Sequence, residues 1–155
     1  MFKAVLPVVL CSVVLTGCAI HKVPGTFLTA SELNTNVANY NGQTIEMRGY
    51  IVLGPESRDL FESKRIFSEI ERGYHSGSRD FDMKKYDKDC VTIANPDFLF
   101  RNGRTVNYKT LIIRGKFIDD YLGPRTINLD ACSPTAIIID EEDLRHRYPA
   151  LLPVR

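Results

Sequence analysis

The chain contains no tryptophan, and aromatic residues make up only 10% of its 155 positions. It has no Cys-x-x-Cys pair and no His-x-x-x-His spacing, so the usual signatures of a zinc site are missing. No phosphate loop or dinucleotide fingerprint occurs, and Ser57 in Gly54-Pro55-Glu56-Ser57 lacks the flanking glycines of a hydrolase elbow. No apolar run reaches the roughly 20 residues that a membrane-spanning helix needs. A surplus of either charge is also lacking, with 20 Lys and Arg against 19 Asp and Glu. Proteins that work by neutralising phosphates need excess cations, so nucleic acid is not an expected partner. His75 and His146 are the only histidines beyond the first 21 residues, and neither sits in a pattern that ties it to a nucleophile. Acidic clusters occur at Asp80, Asp82, Asp87 and Asp89, and again over Asp140 to Asp143, without EF-hand spacing. No catalytic residue, metal ligand or cofactor is expected.

What is present begins at the N-terminus. A single basic residue, Lys3, precedes twelve mostly apolar residues from Ala4 to Leu15, and Leu15-Thr16-Gly17-Cys18 follows from there. The run fits a secretory h-region and is too short to span a bilayer. Residues 15 to 18 resemble, position by position, the bacterial lipoprotein signal, in which a leucine and two small residues precede a cysteine that becomes the first residue after cleavage. The resemblance implies that residues 1–17 are removed. It also implies that Cys18 carries a thioether-linked diacylglycerol and an amide-linked acyl chain such as palmitate. Two or more acyl chains anchor a protein firmly, whereas one gives an association constant on the order of 10⁴ per molar. Ala19, where an aspartate would signal retention, implies sorting to the outer membrane with the domain in the periplasm. An ordinary signal peptide cleaved near Ala19 is the alternative.

Removing residues 1–17 leaves 138, a length that suits one domain with a real core. Lys3 leaves with them, so 19 basic and 19 acidic side chains balance. Cys11 is lost and Cys18 is lipidated, which leaves Cys90 and Cys132 in an oxidising compartment. A disulfide is expected. Two buried thiols, or a metal pair with a histidine, are the alternatives.

Residues 18–28, with His21, Lys22, Pro24 and Gly25, show no periodicity and read as a lipidated tether. Thr29 and Glu32 then form a capping box, Leu33, Val37 and Tyr40 fall at helical spacing, and Gly42 stands where a C-terminal cap belongs. From Thr44 to Leu53 apolar and polar residues alternate as in a half-buried strand, with Gly49 on the apolar side suggesting a bend. Gly54 to Ser57 reads as a turn and Leu60 to Ser63 as a second strand. The segment Thr44–Val52 aligns without gaps on Thr110–Ile118, with Thr, Arg and Gly coinciding. Two long strands of one design, each bent at a glycine, suit a five-stranded Greek-key barrel. Cys90 to Ala94 supplies its third strand and Asn95 to Gly103 a helical cap. Thr126 to Asp130 together with Ile137 to Ile139 supply the fifth strand.

In this order the chain resembles an OB-fold domain over residues 29–139, mainly β, with a preceding helix and an inserted helix and loop between strands two and three. A short β-sandwich is the competing arrangement. OB domains bind over strands two and three, flanked by the loops that here hold Glu56, Arg58, Asp119, Asp120, Tyr121 and Arg125. Phe61, Phe98, Phe100 and Phe117 read as core, and Tyr50 and Tyr121 as exposed. In the inserted link from Lys64 to Asp89, Ile66, Phe67 and Ile70 suggest an amphipathic helix ended by Gly73. A polar stretch follows, with Tyr74, His75, Phe81 and Tyr86 as candidate partner contacts and Lys84, Lys85 and Lys88 setting orientation. Residues 140–155 form a C-terminal tail, a capped helical turn and then an apolar end, suited to covering a barrel edge or docking on another protein. The expected function is that of a lipid-anchored binding or accessory module, its partners being the membrane and an envelope protein. A small-molecule or ion binder using the barrel groove is the first alternative, and a minor envelope hydrolase using His75 the second.

Overall fold

The computed structural model describes residues 27–55, 57–123 and 132–153. Its centre is a closed five-stranded barrel of strands β1 (Thr44–Gly54), β2 (Ser57–Phe61), β3 (Cys90–Ile93), β4 (Thr110–Ile118) and β5 (Ala136–Ile139) in the order β1-β2-β3-β5-β4. All neighbours run antiparallel except β3 and β5, which are parallel. This is the connectivity of an OB-like barrel. Closure gives every strand a neighbour on both sides over part of its length, which the outer strands of a sandwich would lack.

One long strand serves both walls. The first half of β1, Thr44 to Tyr50, pairs with β4, and the second half, Tyr50 to Gly54, pairs with β2. Gly49 sits at the crossover, where a methyl group would come within 3.1 Å of the Leu60 Cβ. The equivalent Gly115 in β4 lies so close to β5 that a methyl group would overlap the Ile138 carbonyl oxygen. Both glycines of the repeated segment thus sit where a side chain would crowd a neighbouring strand.

Alternating side chains of these strands fill the interior: Ile45, Met47, Ile51 and Leu53 from β1, Leu60 from β2, Val91 and Ile93 from β3, Leu111, Ile113 and Phe117 from β4, and Ile137 and Ile139 from β5. Helix α1 (Ala30–Thr35) adds Ala30 and Leu33 near the starts of β3 and β5, where the Asn34 amide bonds the Lys88 and Cys90 carbonyls. Helices α4 (Asp97–Arg101) and α5 (Gly103–Val106) contribute Phe98, Leu99 and Val106. The capping box of Thr29 and Glu32 is formed. The helix breaks at Asn36, so Val37–Tyr40 is a separate turn, α2.

Several boundaries differ from the expectation. Gly54 pairs with Ser57, so β2 begins at Ser57 rather than Leu60. Its polar start hides an inward Leu60 and a buried Asp59, whose carboxylate accepts hydrogen bonds from the Ser57 and Thr92 hydroxyls. Helix α3 (Lys64–Ser76) runs past Gly73 to a left-handed cap at Gly77, because Gly73 is used for close packing against the Phe81 ring rather than as a stop. Leu28, expected in the tether, is buried and forms a parallel bridge to Met47 along the edge of β1 that β2 has vacated. Phe61, Phe98 and Phe117 are buried as expected, but Phe100 is 46% exposed and Tyr50 only 4%. The part of the fifth strand expected at residues 126–130 lies outside the described residues.

The C-terminal residues belong to the domain rather than trailing from it. Helix α6 (Glu141–Arg147), capped by Asp140, buries Leu144, and Leu152 beyond it is fully buried in the same core. Strand β5 reaches only Gly115 to Ile118 of β4, which leaves the earlier part of that edge unpaired. There the Ile112 N–H donates to the Tyr148 hydroxyl at 2.9 Å, and the Asp140 N–H donates to the Arg114 carbonyl.

Candidate functional site

Two rows of side chains point outward from the face where an OB domain usually binds. Cross-strand pairing aligns Tyr50, Phe61 and Cys90 in one row, and Val52, Asp59 and Thr92 in the next. In this chain the first row is covered. Ile66 and Ile70 of α3 bury against Tyr50, Val52, Phe61, Cys90 and Cys132, with Phe67, Phe81 and Tyr86 packed alongside. The Cys90 and Cys132 sulfurs lie 2.11 Å apart, at disulfide distance. They tie the stretch before β5 to the start of β3, beside the 3₁₀ turn Met83–Asp89, whose Asp87 carbonyl accepts from the Ser133 N–H. The inserted link therefore covers strands two and three. A groove there is filled by the protein's own side chains.

Of the predicted contact residues, Tyr74 is 68% exposed and His75 is exposed beside it, its ring edge-on at 5.8 Å. Phe81 and Tyr86 are half-buried and stacked on each other, so they hold the link to α3. Tyr121 is half-buried, its N–H donating to the Pro134 carbonyl, while Arg58, Asp119 and Asp120 are exposed. Glu56, Arg125 and the lipidation residue Cys18 lie outside the described residues. The structure thus groups Tyr74 with His75 and Phe81 with Tyr86, on two sides of the inserted link.

Sequence reasoning missed Tyr108, which is 55% exposed and has a backbone φ of 61°. A bulky residue with positive φ is uncommon and carries strain that its surroundings must hold. The Asn107 side chain provides that restraint, accepting from the Leu53 N–H and donating to the Leu53 carbonyl, while Tyr108 and Lys109 exchange backbone bonds with Ile51. The Tyr108 ring packs 6.3 Å from Tyr50 and 6.2 Å from Phe67, which in turn lies 5.2 Å from Phe61. Burial, then the Tyr108 and Glu71 charges, pushes the Tyr50 phenol above its ordinary value. Phe67, Glu71 and Tyr74 recur at helical spacing, so α3 carries this aromatic line outward along one flank. An asparagine before an aromatic is the only trace in the sequence, and it is not specific.

Beside these rings, at the bend of β1, lies an open cleft of about 560 Å³ lined by Phe27, Thr29, Arg48, Glu62, Ser63, Lys64 and Thr110. The Glu62 carboxylate accepts from the Ser31 N–H and hydroxyl. Among the described residues neither Arg48 nor Lys64 makes an ion pair. Burial, then the charge of Glu62, raises the nearby Asp89 carboxyl. No group of three or more His, Cys, Asp or Glu side chains among the described residues gathers into a metal-binding cluster. None of the described helices is long and apolar enough to cross a membrane. No family model, curated protein or solved structure matches the chain.

Proposed function

We propose that the chain is a lipoprotein of the cell envelope, anchored by acylated Cys18 in the outer membrane, whose OB-like domain is a periplasmic binding or accessory module for another envelope protein. The observation that carries this reading is the use made of the inserted link. It fills the face on which OB domains bind extended polymers and turns Tyr74 outward at the far end of α3. Exposed tyrosine beside a rigid helix is typical of contact surfaces, because the ring offers large area with few rotatable bonds. The balanced charge of the chain after Cys18 supports a protein partner over nucleic acid. No catalytic activity is proposed, and His75→Ala is expected to leave any cellular phenotype intact.

The test is a photoreactive residue in place of Tyr74, irradiated in intact cells, with adducts identified by mass spectrometry. One recurring protein adduct, lost when the group is moved to the buried side of α3, is the expected result. Only self-adducts or scattered abundant proteins would contradict the reading. A second reading, a small-molecule or ion binder, is favoured by the cleft at Arg48 and Lys64. A thermal shift with an envelope metabolite or ion would support it.

A further inference from the structure

The cleft at the bend of β1 lies next to the point where the described chain begins, and that position limits what can reach it. Phe27 lines the cleft, and Leu28 is fixed to β1 through hydrogen bonds between its backbone and those of Glu46 and Arg48. Eight residues lie between Cys18 and Phe27, which makes nine Cα–Cα steps. Fully extended, those steps reach about 30 Å at most. If Cys18 is acylated, the cleft is therefore held within about 30 Å of the bilayer surface, roughly one small-domain diameter. A tether this short gives an effective concentration on the order of millimolar, so a weak site would be occupied.

The chemistry of the cleft has a matching sign. Arg48 projects from β1 and Lys64 from the start of α3, and among the described residues neither has an ion-pair partner, whereas the neighbouring Arg65 pairs with Glu69 at 2.6 Å. Among the described lining residues the one carboxylate, Glu62, already accepts two hydrogen bonds from Ser31. Ser63 and Thr110 add hydroxyls, while that of Thr29 is engaged with Glu32 in the capping box. A planar guanidinium and an ammonium beside hydroxyl donors suit a phosphate-bearing group, and Phe27 at the rim suits the zone between headgroups and acyl chains.

We propose that this cleft takes the phosphate of an anionic phospholipid headgroup, seating the domain on its membrane with Arg48 and Lys64 downward and leaving Tyr74 available. This rests on the acyl anchor of the proposed function, not on its protein partner. The experiment uses the full lipidated chain in vesicles of phosphatidylcholine alone or with one quarter phosphatidylglycerol, carrying a photoreactive residue in place of Thr110. Phosphatidylglycerol adducts are expected several-fold above phosphatidylcholine adducts after correction for abundance. They should fall at least fivefold in Arg48→Gln and Lys64→Gln, with thermal stability unchanged. A photoreactive residue in place of exposed Lys116 should give no such selectivity.

Equal capture of both lipids, or capture insensitive to the two glutamine variants, would overturn the proposal. Loss of the adduct on adding 1 mM soluble glycerol phosphate would also overturn it, by making the site one for a free anion. Failure of the anchor would show separately, as chain that does not float with either vesicle, and failure of the partner reading would leave lipid capture unchanged.

Discussion

Gly49 and Gly115 occupy the same place in the two matching segments, yet they are held to different tolerances. A methyl group at Gly115 meets the Ile138 main chain and the Ile137 side chain, which cannot withdraw without breaking the β4 and β5 pairing. At Gly49 it meets the Leu60 side chain at 3.1 Å, which can yield by a few tenths of an ångström. Gly115→Ala is expected to destabilise the domain by about 2 to 3 kcal/mol and Gly49→Ala by about 1 kcal/mol or less, read from urea unfolding midpoints. Equal costs would mean that the strands can shift apart. Tyr50 gives a second test at this scale. Its raised pKa means that the folded state keeps the phenolic proton when the unfolded chain begins to lose it near pH 10. That contribution is present below pH 10 and is lost as pH rises through the folded value. Tyr50→Phe should therefore show a shallower fall in stability between neutral and strongly alkaline pH than the unmodified protein.

At the scale of elements, the barrel is surrounded by pieces that cover what it leaves open. Helix α6 and the residues after it cover the unpaired edge of β4, and Leu152, fully buried, is their anchor. Leu152→Ala is expected to cost about 2 to 5 kcal/mol by calorimetry or urea unfolding. A change under 0.5 kcal/mol would return the tail to the role of a free docking segment. The disulfide fixes the cover over β2 and β3. In the chain-entropy model, closing a separation of 42 residues stabilises the fold by about 4 kcal/mol. The paired Cys90→Ser and Cys132→Ser variant should lose that much, with hydrogen exchange rising first in α3 and Met83–Asp89.

These elements were unequally legible. The two glycine-bent strands, the capping box at Thr29 and the cysteine pair depend on short-range pattern or simple counting, and the structure has all three. The start of β2 was hidden because Asp59 is buried through hydroxyl partners 2 and 33 residues away. Tyr50 alternates with the inward residues and so reads as solvent-facing, but α3 returns from later in the chain to cover it. Phe100 reads as core because apolar spacing in a five-residue helix does not determine which face turns inward. The cleft joins residues from 27 to 110, and no local pattern could have assembled it.

For the molecule as a whole, the proposal is one of display. An acylated cysteine, a short tether and a barrel closed on itself would hold two surfaces in fixed relation, a cationic cleft near the tether and an aromatic line leading to Tyr74. The near balance of charge makes the unanchored domain a weak ligand for any membrane, so the proposed attachment would rest on Cys18. This makes the anchor the premise of the account. The most direct measurement is the intact mass of the protein extracted from outer-membrane fractions, with peptide mapping of its first residue. The account predicts a chain beginning at Cys18 that carries a diacylglycerol and an amide-linked acyl chain, with Cys90 and Cys132 joined. A chain that begins elsewhere, or that begins at Cys18 with a free thiol, would contradict it.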